Sequence, residues 1–292
     1  MITRQDLITA RRITEWKYER ADKKTVNLFN LFFYIVSFLF GLCFGSFLNV
    51  LVYRLPRKIS IAQPPSSCPS CKNTLGAIEL IPLAGYFILR GRCRHCGTKI
   101  SPRYPAVELA TGALFLLVFI NFGLTVNAFF YLTLLFLLLA ITLIDLEHRI
   151  VPNTLVAAGL ITGLLFYIPV AANIWFDLPS RLVVDRILID AAAGLLLGGS
   201  IMLLIFLISR GGMGAGDLKL MAMIGFYVGL RGTAVVLLLS FFIGALVGLA
   251  FIAAGRLTRK DALPFAPYLS IATLVQVLWG EEIWSWYTNL LN

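Results

Sequence analysis

The chain has 292 residues, 59% of them hydrophobic and 14% charged, with a formal net charge of +10 and a mean hydropathy of +0.86. Soluble domains carry roughly 45–50% apolar and about 25% charged residues, so this composition excludes a soluble globular enzyme and predicts an integral membrane protein. In such a chain a basic excess first reports orientation across the bilayer, and it does not imply a nucleic-acid partner.

Residues 1–27 form a charged tail with seven basic and four acidic side chains. Leu7, Ile8, Ile13 and Trp16 suit an amphipathic helix lying in the membrane interface. A first membrane segment follows at 28–53, its apolar run covering 29–52. It is too long for a signal-peptide core and lacks a small-residue cleavage site, so it reads as a retained span. Cys43 within it reads as a small buried hydrophobe. Seven more spans are predicted at 105–123, 126–145, 153–173, 187–209, 218–230, 233–255 and 264–287. Most approach the roughly 20 residues that cross a hydrocarbon core of about 30 Å; the sixth is short and is either tilted or re-entrant. The expected fold is all-α: a polytopic bundle of about eight transmembrane helices with a small zinc-bound cytoplasmic loop domain. Its divisions are the tail 1–27, the first span 28–53, the loop domain 54–104 and the bundle 105–292.

From Arg54 to Arg103 there are nine basic residues and one acid, Glu79. The positive-inside rule makes this loop cytoplasmic. The turns bearing Arg149, Arg210 with Lys219, and Arg256 with Arg259 and Lys260 then fall inside. Those with Arg181, Arg186 and Arg231, and the acidic Trp-rich end with Glu281 and Glu282, fall outside. The basic N-terminal tail is the one element this topology places against the rule. Gly41 with Gly45, Gly194 with Gly198, and Gly244 with Gly248 are each four apart, a spacing that lets helix backbones approach closely in lipid.

The loop contains Cys68-Pro-Ser-Cys71 and Cys93-Arg-His-Cys96, separated by 21 residues. Paired C-x2-C knuckles supply the four thiolates of a tetrahedral zinc site. Two disulfides or four free thiols are the alternatives. A reducing cytoplasm disfavours the first, and the doubled spacing disfavours the second. Four protein ligands leave no open position, so the metal is structural and His95 is not needed as a ligand.

Eight acids lie among the bundle spans and their turns: Glu108, Asp145, Glu147, Asp177, Asp185, Asp190, Asp217 and Asp261. Ionisable groups in or beside spans are functional candidates. Asp145 closes the third span. Asp217 opens the sixth after Gly212-Met-Gly214-Ala-Gly216. The topology brings both to the cytoplasmic face, although they are 72 positions apart, and puts Asp177, Asp185 and Asp190 at the other. Two carboxylates sharing a site suit aspartic proteolysis. One, ionised, takes a proton from water; the other, protonated, polarises the scissile carbonyl. The alternative is that each is a helix-end residue, Asp217 capping its own helix. Glu147 and His148 read as interfacial neighbours, either of which could tune Asp145; Lys219 either favours ionised Asp217 from nearby or merely marks the inner membrane edge.

These residues resemble the bacterial type IV prepilin peptidases. The resemblance rests on Gly41, Gly45, Ser46, Asn49, Tyr53, Arg54 and Pro56, the four cysteines, Leu89-Arg90-Gly91, Ile100 to Pro105, the Asp145 segment and Gly212 to Leu220. It implies an aspartic endopeptidase of the bacterial inner membrane that cuts the short basic leader from type IV prepilins or type II secretion pseudopilins. Cleavage would follow a glycine, on the cytoplasmic side, with Asp145 and Asp217 as the catalytic pair. It also implies N-methylation of the new N-terminus from S-adenosylmethionine, associated with the first cytoplasmic loop, although the sequence has no glycine-rich dinucleotide-type loop. Two positions depart from the family pattern: Pro152-Asn153 where Pro-Asp is common, and Pro264-Phe265-Ala266-Pro267 where Pro-Phe-Gly-Pro is common. The rival classes are a transporter with a regulatory zinc loop and a non-catalytic assembly scaffold. The first is disfavoured because both acids map to one edge and no internal repeat is evident.

Overall fold

The computed structural model describes residues 28–171, 181–209, 214–256, 258 and 263–290, with side chains described outside 168–185. The tail 1–27 and its interfacial helix, Arg210, Gly212, Met213, Asp177, Arg259, Lys260 and Asp261 lie outside the described residues, as do the side chains of Arg181 and Asp185. The helices are α1 (Leu28–Arg54), α2 (Ala84–Ile88), α3 (Arg103–Phe122), α4 (Val126–His148), α5 (Asn153–Ala171), α6 (Arg181–Ile208), α7 (Ala215–Ala253) and α8 (Ala266–Leu290), with one 3-10 turn at Ile78–Leu80. In hydrocarbon each backbone polar group must be satisfied within its own segment, so apolar runs of this length form helices.

Five helices are long and apolar enough to cross a membrane: α1, α3, α4, most of α6, and α7; α5 holds a shorter apolar stretch, Asn153–Tyr167. The expected last span is a helix, α8. Ser270, Thr273, Gln276, Glu281 and Glu282 dilute its apolar character, and it leaves helical geometry at Trp279 (φ −132°, ψ 15°). The expected sixth and seventh spans run into each other. They are two arms of α7, 215–228 and 230–253, meeting at Gly229 (φ 67°, ψ −175°), a backbone conformation that favours glycine. Leu230, the first amide of the second arm, donates to Asp190 Oδ1 at 3.1 Å, and the Thr233 hydroxyl donates to the Gly229 carbonyl at 2.7 Å. Asp190 therefore caps a restarted helix.

Two of the three glycine pairs are used as their spacing predicts. A Cβ on Gly45 would lie 2.6 Å from Glu108 Cα, and one on Gly41 2.8 Å from Gly112 Cα, so α1 and α3 touch backbone to backbone. Gly194 and Gly198 of α6 likewise face the Gly225 and Met221 carbonyls of α7. Gly244 and Gly248 instead face side chains, Tyr268 at 3.3 Å and Leu263 at 3.4 Å, with no backbone in contact. The core runs through α4 (Leu134, Leu138, Ile141, Ile144), α7 (Leu220, Met221, Met223, Ile224) and α8 (Leu269, Ala272), all buried. Phe32, Phe40, Phe47, Ile161, Leu164, Leu238 and Phe242 point outward, as a hydrocarbon solvent permits. Cys43 points outward with them and is not the buried residue its span suggested.

Candidate active site and metal centre

Asp145 lies in the last turn of α4. That helix ends where Arg149 takes a left-handed conformation (φ 54°, ψ 40°) and its amide donates to the Asp145 carbonyl. Asp217 lies in the first turn of α7, three residues after its cap, Gly214, and its carboxylate faces the Gly214 backbone, as a residue at that place in a helix can. Both carboxylates are buried, at 5% and 8% exposure, in a protein that rarely hides a charge. They lie within electrostatic range of each other.

Two contacts hold the two helix ends together, and a third ties Asp145 to α8. A Cβ on Gly216 would lie 2.8 Å from Val151 Cβ, so only glycine lets the turn after α4 press against the start of α7. Lys219 Nζ donates to Asn153 Oδ1 at 3.0 Å. Asn153 thus accepts the hydrogen bond that an aspartate at that position could accept, and Lys219 is spent there. Third, Ala266 at the start of α8 donates its amide to Asp145 Oδ2 at 3.3 Å. A helix N-terminus is a favourable place for a carboxylate. One turn away Thr142 Oγ1 donates to Ser270 Oγ at 2.7 Å, and Ser270 Oγ reaches the Ala266 and Leu138 carbonyls at 2.8 and 3.4 Å. This lattice seats α8 on α4. The sequence carried its signal in Pro264 to Pro267, which was legible as a motif but not as a contact with Asp145.

Glu147 pairs with Arg103 at the start of α3, and His148 Nε2 is 3.8 Å from Glu147 Oε2 with no hydrogen-bond partner among the described residues. The end of α4 and the end of the cysteine loop are therefore neighbours. Asn49 Nδ2 also donates to the Tyr104 carbonyl at 3.1 Å. Arg54, 8% exposed, donates to the carbonyls of Ser60, Ile61 and Pro64 at 2.8, 3.2 and 2.6 Å and so fastens the first turn of the loop. Gly45, Asn49 and Arg54, quoted above only as a motif, are thus a seam between α1, α3 and the loop.

The four loop cysteines converge, with every Sγ within 4.8 Å of the others. Cys68 Sγ and Cys96 Sγ are 3.8 Å apart, the edge of a tetrahedron with metal–sulfur bonds of about 2.3 Å. No pair is disulfide-bonded. The knuckles repeat each other. Cys68 and Cys93 donate amides to Asn73 and Thr98 carbonyls at 2.9 and 2.8 Å, and Lys72 and Gly97 after them have positive φ. The amides of Cys71 and Ser70 pull the Cys68 thiol below its ordinary range. The Thr98 hydroxyl, helped by its amide, pulls Cys96 down to about 6. Against the Asn73 amide, burial and the three neighbouring sulfurs push Cys71 up to about 11. Four crowded thiols in an amide cradle are a donor set that could hold a metal ion. His95 is exposed beside it and the shell closes without it.

Fold and site together define a multi-pass membrane protein with a buried aspartate pair at neighbouring helix ends and a tetracysteine loop at the same end. Residues 39–122 match the bacterial peptidase A24 N-terminal domain, and residues 132–249 match the type IV leader peptidase family. The chain belongs to that peptidase family. It is 37% identical to a Bacillus subtilis protein named prepilin leader peptidase/N-methyltransferase, over 87% of this chain and 98% of the relative. Proteins of the same name from Aeromonas hydrophila and Pseudomonas aeruginosa are each 36% identical, covering 89% and 87% of this chain and 96% and 92% of theirs. No solved structure matches it.

Proposed function

We propose that this protein is a membrane aspartic endopeptidase that removes the leader from prepilins or pseudopilins and N-methylates the new N-terminus. It acts in the bacterial inner membrane, with loop 54–104 and the aspartate pair at the cytoplasmic face. The observation that carries the reading is the burial of Asp145 and Asp217, 72 positions apart in sequence, at helix ends joined by Gly216 and Val151. Like charges at short range resist ionising together, so the pair holds one proton between them. The ionised carboxylate draws a proton from water as the oxygen attacks the scissile carbonyl. The protonated partner hydrogen-bonds the carbonyl oxygen, and its proton passes to the leaving amine. The Ala266 amide keeps Asp145 oriented throughout.

Cys68, Cys71, Cys93 and Cys96 would hold a structural zinc ion, which supplies folding energy to a loop too small for its own core. Methyl transfer needs a donor, expected to be S-adenosylmethionine. The cleft lined by Tyr86, Arg90, Arg92 and Lys99 does not suit that sulfonium cation, since it gathers positive charge.

The test is mass spectrometry of a model prepilin incubated with the purified full chain, with and without S-adenosylmethionine. It reads the cut position and any added methyl together. Asp145→Asn and Asp217→Asn should each abolish the cut while leaving protein yield and metal content unchanged. Normal cleavage by either variant would overturn the assignment of the pair.

A further inference from the structure

The cysteine loop does not stand clear of the bundle. Leu83, between the 3-10 turn and α2, donates its amide to Glu108 Oε2 at 2.8 Å. Glu108 is five residues into a membrane-spanning helix, about 7.5 Å along it from Arg103 at 1.5 Å per residue. It is buried, with its backbone against Gly45 and its carboxylate within reach of Ser46. The segment around Leu83 is therefore held against the first turns of that helix. The same segment exposes Ile78, Leu80, Ile81, Phe87 and Ile88, with Phe87 at 69% and Ile88 at 63%. Large apolar groups so exposed beside the start of a membrane-spanning helix have a ready solvent in the acyl boundary.

Directly after α2 the chain opens a cleft of about 450 Å³ lined by Tyr86, Arg90, Arg92, Lys99 and Ser101. Gly91 (φ 66°) lets the Tyr86 hydroxyl come close to the backbone there. No carboxylate among the described residues pairs with Arg90, Arg92 or Lys99. Glu79, the one acid of the loop, is occupied by the Gly76 amide at 2.7 Å. Ser101 and Pro102 lead straight into α3, so the cleft lies beside the start of a membrane-spanning helix.

We propose that this cleft binds the phosphate of an anionic phospholipid, with Phe87 and Ile88 anchored in the acyl boundary beside it. Three unpaired cations next to an apolar edge match such a lipid in sign and in polarity profile. A basic leader peptide would be repelled from the same place. The bound lipid would fix the loop's height over the bilayer, and with it the start of α3 and its Arg103 contact to Glu147.

The test is native mass spectrometry of the purified full chain given equal amounts of phosphatidylglycerol and phosphatidylcholine. Roughly fivefold per cation gives a preference on the order of 100-fold for phosphatidylglycerol at low salt, falling as salt rises. Arg90→Gln/Arg92→Gln/Lys99→Gln should abolish the preference with metal content unchanged. If that variant loses its metal, Arg90→Gln alone should weaken retention about fivefold. Phe87→Ser/Ile88→Ser should also weaken it, and inorganic phosphate should fail to displace the lipid. Equal retention of both lipids by the wild type would overturn the proposal. So would full displacement by phosphate, or a Phe87→Ser/Ile88→Ser variant that keeps the lipid and loses a model prepilin, which would make the surface a substrate groove.

Discussion

Gly216→Ala is a direct test of how the two aspartates are brought together. An ideal Cβ on residue 216 would lie 2.8 Å from Val151 Cβ and 3.0 Å from Val151 Cγ2. Carbon atoms pack at about 3.5–4.0 Å, so the first turn of α7 and the turn after α4 must part by about 1 Å. Asp217 is the next residue and moves with α7. Asp145 stays, held by Ala266. A displacement of about 1 Å between reacting groups costs on the order of 100-fold in rate, or about 2.7 kcal/mol in the barrier. Cleavage of a model prepilin by the purified variant should slow by that factor, with thermal midpoint and metal content close to wild type. Gly199→Ala is the control, because its Cβ would meet only the Ala222 Cβ at 3.5 Å. Val151→Gly removes both clashing carbons, so in a double-mutant cycle it should relieve most of the Gly216→Ala loss. Wild-type cleavage by Gly216→Ala, or a loss that Val151→Gly does not relieve, would refute the close approach as the device that aligns the pair.

Thr142→Val removes the hydrogen bond to Ser270 that seats α8 on α4, worth about 1 kcal/mol. Cleavage should fall up to about tenfold and its pH profile should move, while Thr142→Ser should behave as wild type. Cys71→Ser should take zinc from one ion per chain to near none by elemental analysis, and trypsin should then cut the loop at its many basic residues. A wild type that is fully ordered and free of metal would contradict the zinc assignment. Asp190→Ala removes the carboxylate that caps the second arm of α7, at about 1 kcal/mol. It should lower the thermal midpoint and leave cleavage at permissive temperature intact, which separates this acid from the Asp145 and Asp217 pair.

Some of this was legible in the chain because the interactions are local or periodic. Apolar runs of about 20 residues specify helices wherever water is absent, so the all-helical membrane class followed from composition. The convergence of the four cysteines followed from spacing, since two C-x2-C knuckles can close only a few ways. Asp145 and Asp217 stood out because charges at span edges are costly and these two had matching topology and a glycine-rich approach. Helix counts were less secure. One residue with positive φ, Gly229, joins two expected spans into one interrupted helix, and the polar residues of α8 hide it from an apolar-length criterion.

What the tertiary structure alone decided is which distant groups meet. No periodicity could show that the Ala266 amide faces Asp145, that Leu83 is tied to Glu108 within a span, or that Asp190 caps a helix restarting 40 residues later. Each contact depends on where helices cross, and crossing is set by many side chains and by glycines such as Gly45 and Gly194 that let backbones touch. Local sequence fixes what each segment must bury. Only the assembled bundle fixes the partner that it is buried against.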